Sequence, residues 1–133
     1  MNKILIVCGL LMVSSIALAQ EATTETCANG AGTVVIGKVS GHKYCRSNNS
    51  MDWWNAYAWC DAQGKRLFLL DDCGCGWSMD CIDKCPELIS EGSGWHIWTQ
   101  THKDSSHAYF VRFRDGLVYY EYVHGHKLNA LCW

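Results

Sequence analysis

Short apolar runs separated by polar residues predict strands in the first part of the chain. The β-branched segment 33–39 predicts a strand, and a turn at Ser40 and Gly41 leads into segment 42–45, which predicts its return strand. Segment 47–50 reads Ser-Asn-Asn-Ser and predicts a polar loop. Together these patterns predict a hairpin followed by a loop.

A helical spacing replaces this pattern over about residues 51–63. The apolar residues that recur there at intervals of three and four are Trp53, Ala56, Tyr57 and Cys60. Ser50 is placed to cap the first turn, and Gly64 is placed to end the helix. We expect this face to pack on a sheet, so that Trp53 and Cys60 contribute to stability and not to ligand binding.

Further strands are predicted in the second half of the chain. Segment 65–70 predicts a short strand or the entry to a turn. The later strand segments are 95–99, 108–113, 117–122 and 128–133. Arg114-Asp115-Gly116 predicts a tight hairpin turn. The order of strands, helix, cysteine-rich loop and strands predicts an α+β fold with an antiparallel sheet.

The amino terminus has the pattern of a signal peptide over residues 1–19. Lys3 precedes the apolar run 4–16, and small residues stand at the expected cleavage position. We expect residues 20–32 to form a tail and residues 33–133 to form one domain. The protein would then be secreted, in the periplasm or at the cell surface, with no membrane insertion after cleavage.

The overall charge argues against one class of partner. The chain has 133 residues and a net charge of −2 at pH 7. Nucleic-acid binding requires a basic face. We therefore expect no nucleic-acid partner.

Eight of the nine cysteines lie outside the predicted leader, which holds Cys8. They are Cys27, Cys45, Cys60, Cys73, Cys75, Cys81, Cys85 and Cys132. An even number of cysteines in a small exported chain indicates disulfides, although eight cysteines allow 105 pairings. Cys73 and Cys75 are too close to pair easily, so each would reach Cys81 or Cys85. The alternative for these four cysteines is a zinc site with four thiolates.

Other chemistry along the chain is less specific. A group of acidic residues, Asp71, Asp72, Asp80, Asp83 and Glu87, is either a calcium site or a solvated acidic loop. His124 and His126 are either chelating residues or exposed loop histidines. No serine lies in a nucleophile elbow and no cysteine is left as a nucleophile. We therefore expect no enzyme and no cofactor.

Aromatic residues are abundant, with seven tryptophans and six tyrosines. The tryptophans that we assign to the core are Trp53, Trp59, Trp95 and Trp98. Strand alternation places Tyr119 on the face opposite to Tyr120 and Tyr122. Because one face would meet the core, we expect only some of these tyrosines to be exposed, as a contact surface for a protein or a sugar ring.

The order of several motifs resembles the C-type lectin-like domain family, in its short bacterial exported form. The motifs are Tyr44-Cys45 before the helix, the helix 53–64 with its cysteine, Trp95-His96-Ile97-Trp98, the hairpin at Gly116 and the terminal Ala130-Leu131-Cys132. The resemblance implies the C-type lectin-like fold and the disulfides Cys60–Cys132 and Cys27–Cys45.

The resemblance also implies a function. The Glu-Pro-Asn, Gln-Pro-Asp and Trp-Asn-Asp triplets of calcium-dependent sugar binding are absent, so a calcium-independent module that binds a protein or a glycan is expected. The predicted ligand surface consists of His102, Asp104, Tyr119, Tyr120, Tyr122, His124 and His126. The alternatives are a structural or adhesive subunit of a bacterial surface assembly and, more distantly, a metal-dependent enzyme.

Overall fold

The computed structural model of the protein describes residues 27, 30–74, 84–90 and 93–133. The predicted signal peptide lies outside the described residues, and so do Cys75, Cys81, Asp80 and Asp83. The strands are β1 (Gly32–Ile36), β2 (Lys43–Met51), β3 (His96–His102), β4 (His107–Arg112), β5 (Val118–Tyr122) and β6 (Leu128–Cys132). The helix α1 spans Trp53–Asp61, and two short 3-10 turns span Leu70–Cys73 and Pro86–Leu88.

The six strands form one sheet in the order β1-β2-β6-β3-β4-β5. The last strand therefore lies in the middle, antiparallel to β2 and parallel to β3. The fold class α+β is confirmed, but the prediction of a wholly antiparallel sheet is wrong. The sheet is mixed because the chain returns from the edge strand β5 to the middle of the sheet. There it forms β6, which runs in the same direction as its neighbour β3.

Each face of the sheet carries its own core. On the helix side, Trp53 and Cys60 pack with Trp98 of β3 and Ala130 of β6. On the other side lie Tyr44, Phe68, Leu88, Ile97, Val111, Phe113 and Leu131. Neighbouring residues such as Ile97 and Trp98 enter different cores, because side chains alternate along a strand.

The helix begins at a different cap from the one that the sequence predicts. Asp52, and not Ser50, caps it, with the Asn55 amide donating to the Asp52 carboxylate at 2.8 Å. Ser50 is instead part of β2, which runs through the predicted loop 47–50 to Met51. A buried polar network holds this extension: the Ala130 amide donates to the Ser47 hydroxyl at 2.9 Å, and Asn129 donates to the Ser47 carbonyl at 2.8 Å.

The tryptophan predictions are confirmed in part. Trp53 and Trp98 are buried, and their indole N–H groups donate to the carbonyls of Thr99 and Met51. Such partners remove the cost of burying the indole nitrogen. Trp59 and Trp95 are half-buried.

Among the described residues, three disulfides join distant segments. Cys60–Cys132 connects α1 to β6, and Cys27–Cys45 connects the amino-terminal segment to β2. Both pairs that the resemblance implies are therefore present. Cys73–Cys85 is the third. Because it uses two of the four central cysteines, it excludes the four-thiolate zinc site.

The hairpin between β4 and β5 turns where the sequence predicts it. Gly116 has φ +74°, and a Cβ atom there would lie 2.6 Å from Ile89 and 2.8 Å from the Cys85 carbonyl. Only glycine satisfies both conditions. The turn is therefore fixed both by its backbone conformation and by its packing.

Candidate functional site

The β4–β5 hairpin at one edge of the sheet carries three of the seven predicted ligand residues, the tyrosines of β5. His107 pairs with Tyr122, and Tyr109 pairs with Tyr120. Since side chains alternate, these four rings lie on one face of the hairpin. We call this group, together with Lys103 and His126, the tyrosine face.

The three tyrosines of β5 are all exposed. Their exposed fractions are 41% for Tyr119, 49% for Tyr120 and 54% for Tyr122. The expectation that only some would be exposed is wrong. The reason is that β5 is an edge strand, so neither of its faces is fully covered by a core.

Tyr119 projects from the opposite face of the hairpin. Its ring stacks on Phe110 at 5.7 Å, and the Arg112 guanidinium lies 5.3 Å from the ring centre. Tyr119 is thus separated by the sheet itself from Tyr120 and Tyr122. The structure divides the predicted tyrosine set in two.

Asp104 organises the turn that leads into β4. Its carboxylate accepts from the amides of Ser106 and His107, both at 2.9 Å, and lies 2.7 Å from His107 Nδ1. The hydrogen bond with the His107 side chain is the main cause that lowers the pKa of Asp104 to about 2. Asp104 therefore remains an anion at physiological pH and positions the His107 ring.

Charged groups border the tyrosine face. The Lys103 ammonium lies 3.4 Å from the centre of the Tyr120 ring. His126 stacks near Tyr122 at 6.3 Å, and its Nε2 lies 3.4 Å from a Glu121 carboxylate oxygen. The His107 ring lies 4.2 Å from that of Tyr122. The result is an exposed aromatic surface with a polar rim.

Two of the predicted residues lie elsewhere. His102 packs edge-on against Trp53 at 4.5 Å, and His124 lies 6.2 Å from Trp54. Both therefore belong to the helix side of the sheet. Since His124 and His126 have different neighbours, the structure gives no support to their acting as a chelating pair.

The acidic group predicted around the cysteine-rich loop is also divided. Asp72 forms two hydrogen bonds with Arg66, at 2.7 and 2.9 Å. Glu87 is buried and bonded to the β1–β2 turn. Asp71 is exposed. Within the described ranges, no three His, Cys, Asp or Glu side chains are grouped so as to hold a metal ion.

Sequence reasoning missed Lys103, His107 and Tyr109 as members of the surface. The hairpin signal at Gly116 together with strand alternation contained enough information to find His107 and Tyr109, because the turn fixes the register. No local signal identified Lys103, whose position over Tyr120 depends on the fold of the 103–106 turn.

Comparisons with known proteins add no assignment, because no family model, curated protein or solved structure matches this chain. Among the described residues, no helix is long and apolar enough to cross a membrane. The structure thus defines an α+β domain with three disulfides and an exposed aromatic hairpin. Its function rests on the site itself.

Proposed function

We propose that this protein is an exported, calcium-independent binding module of the C-type lectin-like kind, whose tyrosine face binds a partner protein. The observation that carries the proposal is the exposure of Tyr120 and Tyr122 beside His107 and Lys103. Exposed tyrosines on a rigid strand supply apolar contact area and a polar hydroxyl at low entropic cost, and they are common at interfaces.

The topology supports the C-type lectin-like fold. The first long strand and the last strand are neighbours, and a disulfide ties the helix to that last strand. A second disulfide closes the amino-terminal hairpin region. The two disulfides are those that the sequence resemblance implies for the family. Disulfides are typical of oxidising compartments, which supports export.

The shape of the surface favours a protein partner over a small molecule. Small-molecule sites are concave and enclose most of the ligand. The tyrosine face lies on an edge hairpin with its rings projecting outward, and none of its residues lines the described cavities. A glycan is the second ligand class to test, since sugar rings also stack on tyrosine.

The test is a binding screen on arrays of extracellular proteins and glycans, with and without EDTA. We expect a protein ligand whose binding does not change with EDTA. Tyr120→Ala or Tyr122→Ala should weaken it by about 1 kcal/mol or more if either residue is a hot spot. Tyr57→Ala is the matched control, because Tyr57 is an exposed tyrosine on the helix.

The variants also show whether each tyrosine contacts the ligand or only stabilises the fold. All three should retain the far-ultraviolet circular dichroism of the wild type, because near-ultraviolet spectra would change with the loss of the tyrosine itself. Binding that survives both β5 variants, or that is lost only in Tyr57→Ala, would contradict the assignment of the surface. Binding that requires calcium would contradict the proposed class.

A further inference from the structure

A second site lies at the other edge of the sheet. A cavity of about 390 Å³ opens beside β1, on the side away from the helix. Its principal lining residues are Val35, Lys38, Arg46, Leu88, Trp95 and Phe113. The volume falls in the range of small-ligand pockets. Apolar walls and two cations thus border one space.

Arg46 is the unusual residue of this cavity. Its guanidinium lies 3.7 Å from the centre of the Trp95 ring, so one face of the guanidinium is covered. Its Nε atom is buried and has no hydrogen-bond partner within the described residues. An unmet buried donor is costly, and such groups are rare in folded proteins.

Two other arginines also lie over aromatic rings, and each of them is hydrogen-bonded to a carboxylate. Arg66 lies over Trp133, and both its terminal nitrogens bond to the carboxylate of Asp72. Arg112 lies near Tyr119, and its Nε and Nη2 bond to the two oxygens of Asp115. A carboxylate therefore occupies the donor fork in each case.

Arg46 lacks that carboxylate in the described part of the chain. Hydrogen bonds with their carboxylates raise the pKa of Arg66 and Arg112, whereas burial lowers the pKa of Arg46. The acid that does line the cavity, Glu87, is already used: it accepts from Val39, Ser40 and Tyr44. Among the described residues, the cationic fork of Arg46 therefore has no carboxylate partner.

We propose that this cavity binds a carboxylate attached to an apolar group, with Arg46 as the anchor of the carboxylate and Trp95 as the platform that holds the guanidinium. A carboxylate matches the guanidinium fork and would accept hydrogen bonds from its terminal nitrogens. The apolar part of the ligand would contact Val35, Leu88 and Phe113. Lys38 adds a second positive charge at the rim.

Two sources share this chemistry: a free organic acid and the carboxyl terminus of a peptide. Phenylacetate represents the first and N-acetylphenylalanine the second. Their uncharged amides, phenylacetamide and N-acetylphenylalaninamide, are the controls. Binding is measured with the full chain by ligand-observed NMR and by the fluorescence of its tryptophans.

We expect saturable binding of at least one acid, with its amide bound at least about tenfold more weakly, the equivalent of about 1.4 kcal/mol. Arg46→Lys keeps the charge but removes the planar fork, so it should weaken the binding of the acid by a similar factor. Arg66→Lys is the matched control and should bind as the wild type does. The acid that binds more tightly indicates whether the ligand is a free organic acid or the carboxyl terminus of a peptide.

Three results would overturn the proposal. They are no saturable binding of either acid, equal binding of acid and amide, and wild-type affinity in Arg46→Lys. Thermal unfolding of each variant verifies that the domain remains folded. Because none of the residues that line the cavity belongs to the tyrosine face, Tyr120→Ala should not change acid binding, so this test is independent of the proposed function.

Discussion

Replacing the buried carboxylate of Glu87 is the perturbation with the clearest expected consequence. Glu87 has an exposed fraction of 1%. Its carboxylate accepts from the amides of Val39 at 2.7 Å and Ser40 at 3.0 Å, from the Ser40 hydroxyl, and from the Tyr44 hydroxyl at 2.7 Å. One side chain therefore joins the β1–β2 turn to the second 3-10 turn.

The magnitude follows from which donors Glu87→Ala leaves without a partner. Tyr44 is buried, so its hydroxyl would lose its acceptor at a cost of about 1–3 kcal/mol. Val39 and Ser40 are exposed, so water can replace the carboxylate there, and each loss is about 0.5–1.5 kcal/mol. Relief of the carboxylate's own desolvation offsets part of the sum. We expect the free energy of unfolding to fall by about 3 kcal/mol.

Urea denaturation under non-reducing conditions measures this change. Glu121→Ala is the control, since Glu121 is a half-exposed glutamate, and it should change stability by less than about 0.5 kcal/mol. Tyr44→Phe combined with Glu87→Ala should cost less than the sum of the two single changes, because the double variant leaves no buried hydroxyl without an acceptor. A change within about 0.5 kcal/mol for Glu87→Ala would refute the reasoning.

Four further predictions concern the contacts and disulfides that stabilise the fold. Hydrogen bonds from Ser40, Tyr44 and Val39 outweigh the effect of burial and lower the pKa of Glu87. The stability advantage of the wild type over Glu87→Gln should therefore be constant from neutral pH to about pH 5.5. It should shrink as the pH falls below about 4.3, where the unfolded state takes up a proton at Glu87 before the folded state does. Trp53→Ala should reduce the free energy of unfolding by about 3–5 kcal/mol in urea denaturation, because Trp53 is buried and its indole is bonded. Replacing Cys60 and Cys132 together by alanine should cost roughly 4 kcal/mol in the same assay, since their disulfide spans 72 residues. Alkylation without reduction, followed by mass spectrometry, should label none of the eight cysteines that follow residue 19, and a labelled pair would contradict the disulfide framework.

Local patterns in the sequence determined the helix and the hairpin, whereas two of the disulfides were implied only by the family resemblance. The spacing of Trp53, Ala56, Tyr57 and Cys60 identified one helix face, because residues three and four apart share a face whatever the rest of the fold does. Trp53, Ala56 and Cys60 are buried, but the expectation that Tyr57 packs with them is wrong, because Tyr57 is exposed and its ring only stacks on that of Trp53. Gly116 identified a turn for a similar reason, since the positive φ that favours glycine is a local property of the turn, although its packing against Ile89 and Cys85 is not.

Polar residues within strands misled the same reasoning. The segment 47–50 reads as a loop, yet it extends β2, because Ser47 and Asn129 hydrogen-bond across the sheet. Ser50 is consequently in the strand, and Asp52 caps the helix. A partner in a distant strand overrode the local preference, which a single segment cannot reveal.

Strand order decided which residues are exposed and which are paired. It places β5 at an edge, so that all three of its tyrosines are exposed, and it sets β6 parallel to β3. It brings Glu87 to Tyr44, and it leaves Arg46 without a carboxylate among the described residues. The sequence by itself determined the local elements, because their signals depend on neighbouring residues. Only the tertiary structure decided the two candidate sites, because contacts between distant segments depend on how the strands are ordered.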